Sequence, residues 1–213
     1  MATLRLENIK ACVFDAYGTL FDVNAAARAE RAALGDKWLE IAGIWRLKQL
    51  QYTWLRSLQK RHADFWQVTG EALDFALTSV NVSDPALRER LMNLYLTLSA
   101  YPEVKTTLEQ LNSAGIKCAI MSHGTPKMLA AAVETANIAP LLDGVYSIEA
   151  VGVYKPDPST YQIAVDQLEL SPAEISFQSS NGWDAYGAKA FGFNAIWCNR
   201  FGQAAEGLPG TPD

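Results

Sequence analysis

A chain of 213 residues, 49% hydrophobic and 19% charged, has the make-up of a globular protein with one large domain or a core plus a modest insert. Its net charge of −5 leaves no basic footprint for nucleic acid. The apolar runs are strand-length, far short of the roughly 20 residues that a membrane helix needs, and residues 1–10 hold no long apolar stretch of the kind a secretory signal carries.

In chain order, the first apolar run covers residues 9–15 and opens into Val13-Phe14-Asp15-Ala16-Tyr17-Gly18-Thr19-Leu20. It reads as a buried strand with a carboxylate at its C-terminal tip and a glycine turn behind, where open α/β sheets build their sites. From residue 22 to about 100 the texture changes. Leu47, Leu50, Trp54 and Leu58 recur at helical spacing, as do Leu87, Leu91, Leu94 and Leu98. Ser83-Asp84-Pro85 reads as a helix start with proline in the first turn. A helical insert is therefore expected directly after the first strand, with the core resuming near Tyr101-Pro102.

Apolar runs at 116–121, 174–179 and 193–198 then alternate with helix-like stretches at 125–137, 158–169 and 183–191. That alternation predicts an α/β fold, a Rossmann-like parallel sheet covered on both faces. The expected division is a core of residues 1–21 and 100–213 and a helical cap domain of residues 22–99. The tail from Gly202 reads as loose. Cys12, Cys118 and Cys198 are odd in number and form no Cys-x-x-Cys, so buried, reduced thiols and a cytoplasmic location are expected.

Four strand-ends or adjoining loops carry polar residues: Asp15, Ser122-His123-Gly124-Thr125, Lys155-Pro156, and Ser179-Ser180-Asn181-Gly182-Trp183-Asp184. Right-handed crossovers put the C-terminal ends of parallel strands on one edge, so these segments can converge. An aspartate held near a cation and shielded from water is a competent nucleophile. Lys155 is placed to favour the charged form of Asp15, as an opposite charge within about 4–6 Å does. Ser122 and backbone N–H groups suit an anion, and Asp184 suits orienting or deprotonating water. Singly, each has a plain structural reading: Asp15 as a turn residue, Lys155 as a solvated loop lysine, Ser122 as a helix cap, Trp183 as packing. Their joint placement on one edge favours the site.

This set resembles the haloacid dehalogenase superfamily and, more narrowly, the (S)-2-haloacid dehalogenases. The residues that carry the resemblance run from Phe14 to Asp22, from Trp45 to Arg56, and from Ser179 to Asp184. Most members of the superfamily transfer phosphoryl groups and carry a second acid two residues after the nucleophile; here that place is Tyr17, whose ordinary pKa of about 10 suits the acid role poorly. The resemblance implies that Asp15 attacks the α-carbon of a short (S)-2-haloalkanoic acid. An ester forms, a halide ion leaves, and hydrolysis of the ester gives the (R)-2-hydroxy acid, with no cofactor and no metal.

The same resemblance implies the remaining roles. Lys155 anchors Asp15; Asp184 places water with Asn181 and Ser179; Tyr161 belongs to the site. Ser122 with the N–H groups of Ala16 and Tyr17 holds the substrate carboxylate. Arg46 stands by the departing halide, and Tyr17, Leu50, Phe65 and Trp183 line the alkyl part. It also implies a homodimer, to which Trp45, Trp54 and Trp66 are candidate contacts, although insert core explains them equally well. One position departs from the pattern: after Ser122 the family usually has asparagine, which helps cradle the halide, and this chain has His123. A ring there either still donates a hydrogen bond or, by its size and possible positive charge, favours a smaller halogen, even fluoride; it could also impair the enzyme. His62 is expected to be exposed. Two alternatives stay open: a phosphatase or phosphonatase of the same fold, and a catalytically weak binding protein that kept it.

Overall fold

The computed structural model describes residues 7–213. Its first strand, β1 (Ala11–Phe14), is buried along its whole length, which suits the middle of a parallel sheet with both faces covered. The chain then leaves the sheet. Helices α1 (Ala25–Ala29), α2 (Arg31–Leu34), α3 (Trp38–Gln59), α4 (Phe65–Ser79) and α5 (Pro85–Leu96) form the insert. Its two ends meet: Phe21 bridges Ala100, the Asp22 N–H donates to Ser99 O at 3.0 Å, and the Tyr101 N–H donates to Leu20 O at 2.9 Å.

The core continues through α6 (Val104–Ser113), β2 (Lys117–Ser122), α7 (Pro126–Thr135), β3 (Gly144–Ser147), α8 (Pro158–Leu168), β4 (Ile175–Ser179), α9 (Gly182–Phe191) and β5 (Asn194–Trp197). All strand pairs are parallel, in the order β3-β2-β1-β4-β5. Caps mark the helix starts. The carboxylates of Asp64, Asp84 and Asp157 and the hydroxyl of Thr125 accept backbone N–H groups at the heads of α4, α5, α8 and α7. Three of these helices open on proline, α5 at the Asp84-Pro85 step read from the sequence.

Several expectations need correction. β3 and α6 were not anticipated: β3 is a half-exposed edge strand with no clear apolar run. In α3 the helix is where it was expected, but its buried face is different. Ile41, Ala42, Trp45, Gln49 and Thr53 face inward, while Leu47 and Leu58 are exposed. Two polar side chains can be buried there because other groups of the cap satisfy their hydrogen bonds. Trp45 belongs to this interior, its indole N–H donating to Thr69 O at 2.9 Å, and is no surface contact. The tail is not loose throughout. The Asp213 N–H donates to Ala195 O at 2.8 Å, Lys189 Nζ lies 2.6 Å from Asp213 Oδ1, and Gly210 passes against the backbone of α9.

α9 packs onto α8 with no room for a side chain at Gly187, where a Cβ would stand 2.6 Å from the Tyr161 hydroxyl and 2.7 Å from Pro156 Cβ. Gly187→Ala is expected to destabilise the protein by about 1–3 kcal/mol, the usual cost of overpacking. A lowered urea midpoint is the predicted reading, and an unchanged midpoint contradicts this packing.

Candidate active site

The sheet register places Phe14 level with Ile120 of β2 and Gln178 of β4. Asp15 therefore emerges between the ends of its two neighbouring strands, and its N–H is held by Gln178 O at 2.9 Å. The carboxylate is buried and hydrogen-bonded at both oxygens. Oδ1 accepts from Lys155 Nζ at 3.1 Å. Oδ2 accepts from Thr19 Oγ1 at 3.0 Å and from Asn181 Nδ2 at 2.8 Å.

Lys155 lies between two carboxylates. Its Nζ stands 3.1 Å from Asp15 Oδ1 and 3.1 Å from Asp184 Oδ2, with only 1% of the side chain exposed. Burial alone would push the lysine pKa down; the two acids outweigh it and the pKa is raised. Asp184 is fully buried at the head of α9, and burial, opposed by Lys155, pushes its pKa up. Its Oδ1 accepts from the Tyr161 hydroxyl at 2.9 Å. Two carboxyl groups thus share one ammonium, and the upward push of burial makes Asp184 a stronger base than a surface aspartate.

The cap supplies Arg46. Its guanidinium donates to Tyr17 O and to Asn181 Oδ1, both at 3.1 Å, and to Gln49 Oε1 at 2.8 Å. Asn181 therefore links the arginine to Asp15. The Ala16 and Tyr17 N–H groups have no acceptor among the hydrogen bonds of the described residues, so this turn offers two donors to an anion. Ser122 lies alongside, buried, its hydroxyl accepting from the Gly124 N–H at 3.3 Å. Thr125, not Ser122, caps α7.

An aromatic wall closes the site. Tyr17 stacks on Tyr95 with centroids 5.4 Å apart and lies 5.6 Å from Phe65. Trp183 meets Trp54 edge-on at 5.3 Å and His123 at 5.9 Å. Leu50 sits half-buried on α3, one turn beyond Arg46. Burial drives the Tyr17 phenol well above 10, further from the range of a useful acid, and its hydroxyl has no partner among the described residues. Ser179 makes no direct contact with either carboxylate; its hydroxyl accepts from the Asn181 N–H at 3.2 Å and shapes that loop.

His123 corrects one expectation. It is buried against Phe65, Tyr154 and Trp183. Burial first, then the charges of Lys155 and Arg46, push its pKa well below 6.5. Its Nε2 accepts from the Lys155 N–H at 3.0 Å, so a neutral ring carries its proton on Nδ1. A positively charged histidine is not what this pocket holds, and of the two arguments for a smaller halogen only ring size remains. Thr19 and Ser180 are the site residues that reading by strand-ends missed. The Thr19 hydroxyl holds Asp15 and accepts from the Ser180 N–H at 2.9 Å. The signal was present, since Thr19 stands four residues after Asp15 inside the quoted motif.

The sequence matches the haloacid dehalogenase-like hydrolase family over residues 9–192. It is 46% identical over 202 residues to (S)-2-haloacid dehalogenase 1 of Pseudomonas sp. (strain CBS-3), an alignment that covers 94% of this chain and 89% of the relative. It is 45% identical over 202 residues to (S)-2-haloacid dehalogenase 4A of Burkholderia cepacia, covering 94% and 87%. Among solved structures it is similar to the L-2-haloacid dehalogenase of Xanthobacter autotrophicus with chloropropionic acid covalently bound. The TM-score is 0.85 at 43% identity, covering 92% of this chain and 79% of that one.

The neutral, buried His123 makes stability depend on pH. A histidine in the unfolded chain takes up a proton below about 6.5 and the folded one does not, so stability present above that pH is lost as pH falls. Between about pH 6.5 and 5, unfolding free energy should drop more steeply in this protein than in His123→Asn, by up to about 1.4 kcal/mol per pH unit. Denaturant melts across that window measure it, and parallel slopes contradict the assignment.

Proposed function

The chain belongs to the haloacid dehalogenase-like hydrolases, and from that membership we propose that it converts short (S)-2-haloalkanoic acids to (R)-2-hydroxyalkanoic acids through an ester on Asp15. The observation that carries this reading is the Lys155 ammonium, 3.1 Å from both Asp15 and Asp184, with Tyr17 where a phosphoryl-transfer enzyme needs an acid. A carboxylate attacking carbon needs a fixed cation and a dry site, and a departing halide needs no proton.

In the first step an Asp15 oxygen forms a bond to the α-carbon from behind the carbon–halogen bond. That bond breaks and the halide leaves with the electron pair, inverting the carbon. Arg46 stabilises the charge as it develops, the kind of interaction that lowers the barrier without tightening the ground state. The Ala16 and Tyr17 N–H groups and Ser122 hold the substrate carboxylate. In the second step water loses a proton to Asp184 and attacks the Asp15 carboxyl carbon. The bond from that carbon to the ester oxygen breaks, the alkoxide takes up the proton, and the product keeps the inverted configuration. Lys155 and Asn181 offset the charge on the carboxyl oxygens.

Residues 22–99 act in this reading as a cap domain, turning about the paired strands at Phe21 and Ala100. Asp15 and Lys155 are buried beneath it, so substrate enters as the cap lifts and water is excluded as it closes. A phosphatase reading has no specific observation in its favour, and the Tyr17 phenol, held well above 10, makes a poor acid for its leaving group.

Halide release from the two enantiomers of 2-chloropropionate, with and without chelator, tests this function. The expected result is release from the (S) form alone, unchanged by chelator. Release from the (R) form only, a metal requirement, or turnover of p-nitrophenyl phosphate with magnesium in place of halide release would overturn it.

A further inference from the structure

Beneath Arg46 the cap holds a buried polar chain that the proposed reaction leaves without a task. Gln49, only 1% exposed, lies at its centre. Its Oε1 accepts from Arg46 at 2.8 Å. Its Nε2 donates to Thr69 Oγ1 at 2.7 Å. The Thr69 hydroxyl in turn donates to Phe65 O at 2.6 Å. The Tyr95 hydroxyl lies against the same amide, 3.1 Å from Nε2 and 3.2 Å from Oε1.

The direction of this chain is not arbitrary. A guanidinium can only donate, and a peptide carbonyl can only accept. The Thr69 proton is committed to Phe65 O, so Thr69 can only accept from Gln49. The amide must therefore turn its NH2 to Thr69 and its oxygen to Arg46. The Gln amide offers a donor and an acceptor on one rigid plane, with the reach to meet both partners. Residues 46 and 49 are three apart on α3, so both lie on one face of the helix. Two other bonds, to Tyr17 O and Asn181 Oδ1, fix the far side of the guanidinium. Arg46 is thereby clamped between the cap interior and the turn that carries the nucleophile. A cavity of about 10 Å³ bordered by Trp45, Arg46, Gln49 and Tyr95 lies next to the clamp.

We propose that Gln49 is a positioning residue for Arg46, holding the guanidinium where the leaving halide develops its charge, and so setting how well the site expels a poor leaving group. This rests on the dehalogenase reading above. Chloride leaves less readily than bromide, so its departure leans harder on a correctly placed cation. A loosened Arg46 should penalise chloride more. A residue that served only the packing of the cap would lower both substrates alike, through a smaller folded fraction.

The test compares kcat/KM for (S)-2-chloropropionate and (S)-2-bromopropionate in the unaltered protein, in Gln49→Met and in Gln49→Glu, with a thermal melt of each. kcat/KM reports the steps up to halide departure and is unaffected by slow ester hydrolysis. Methionine keeps the volume and removes the amide's hydrogen bonds to Arg46, Thr69 and Tyr95; glutamate keeps the shape but gives Thr69 no donor and pulls Arg46 toward the cap. We expect folded variants whose chloride reaction falls about ten-fold or more, with a bromide loss several-fold smaller. Equal losses for the two halides, no loss, or failure of both variants to fold would overturn the positioning role, the last because the residue would then act on the fold. If the unaltered protein releases neither halide, the dehalogenase reading itself falls, a result distinct from the other three.

Discussion

Burying an ammonium removes it from water at a cost of several kcal/mol, and only partners of opposite charge in good geometry can offset that. Lys155 is such a group, and its two partners come from distant parts of the chain. Asp15 ends β1, Asp184 opens α9, and Lys155 itself lies in the segment between β3 and α8. Removing Lys155 would leave two carboxylates buried side by side without their shared cation, so the fold and the site depend on the same contact. The surrounding hydrogen bonds are built outward from it: Tyr161 onto Asp184, Thr19 and Asn181 onto Asp15, and His123 onto the Lys155 backbone.

The second layer of the site comes from the insert. α3 reaches over the sheet edge and places Arg46 against Asn181 and the Tyr17 carbonyl. The core alone therefore brings together Asp15, Lys155 and Asp184, and the insert completes the set with a cation and part of the aromatic wall. Asp15 lies buried where the insert meets the sheet edge, so under the proposed function binding, desolvation and assembly of the charges become one event.

How far the sequence reveals this depends on where each signal lies along the chain. Asp15, Ser122 and Asp184 stand at or soon after strand-ends that are visible because short apolar runs stop abruptly at polar residues and glycine, whereas Lys155 lies in the loop beyond β3 and was marked only by its Lys155-Pro156 step. Arg46 carries no such signal and was found only through resemblance to a family. β3 escaped because an edge strand half open to solvent needs no apolar run. The inward face of α3 was misjudged because Leu47 and Leu58 outrank Gln49 and Thr53 in hydrophobicity. The burial of Gln49 is decided by hydrogen-bond partners on α4 and α5 that only the folded chain brings together, while Thr53 turns its hydroxyl to Leu50 O within α3. The charge state of His123 is likewise tertiary: it follows from desolvation and two nearby cations, neither of which is its neighbour in sequence.

The central claim is that an oxygen of Asp15, and not water, forms the new bond to carbon. A single turnover in H2(18)O with protein in excess over (S)-2-chloropropionate addresses it directly. Attack by Asp15 leaves the product hydroxyl unlabelled and places the heavy oxygen in the Asp15 carboxylate, where mass spectrometry of the peptide around Phe14-Asp15-Ala16 would find it. Heavy oxygen in the product with none at Asp15 would mean direct attack by water on the substrate, and would contradict the account.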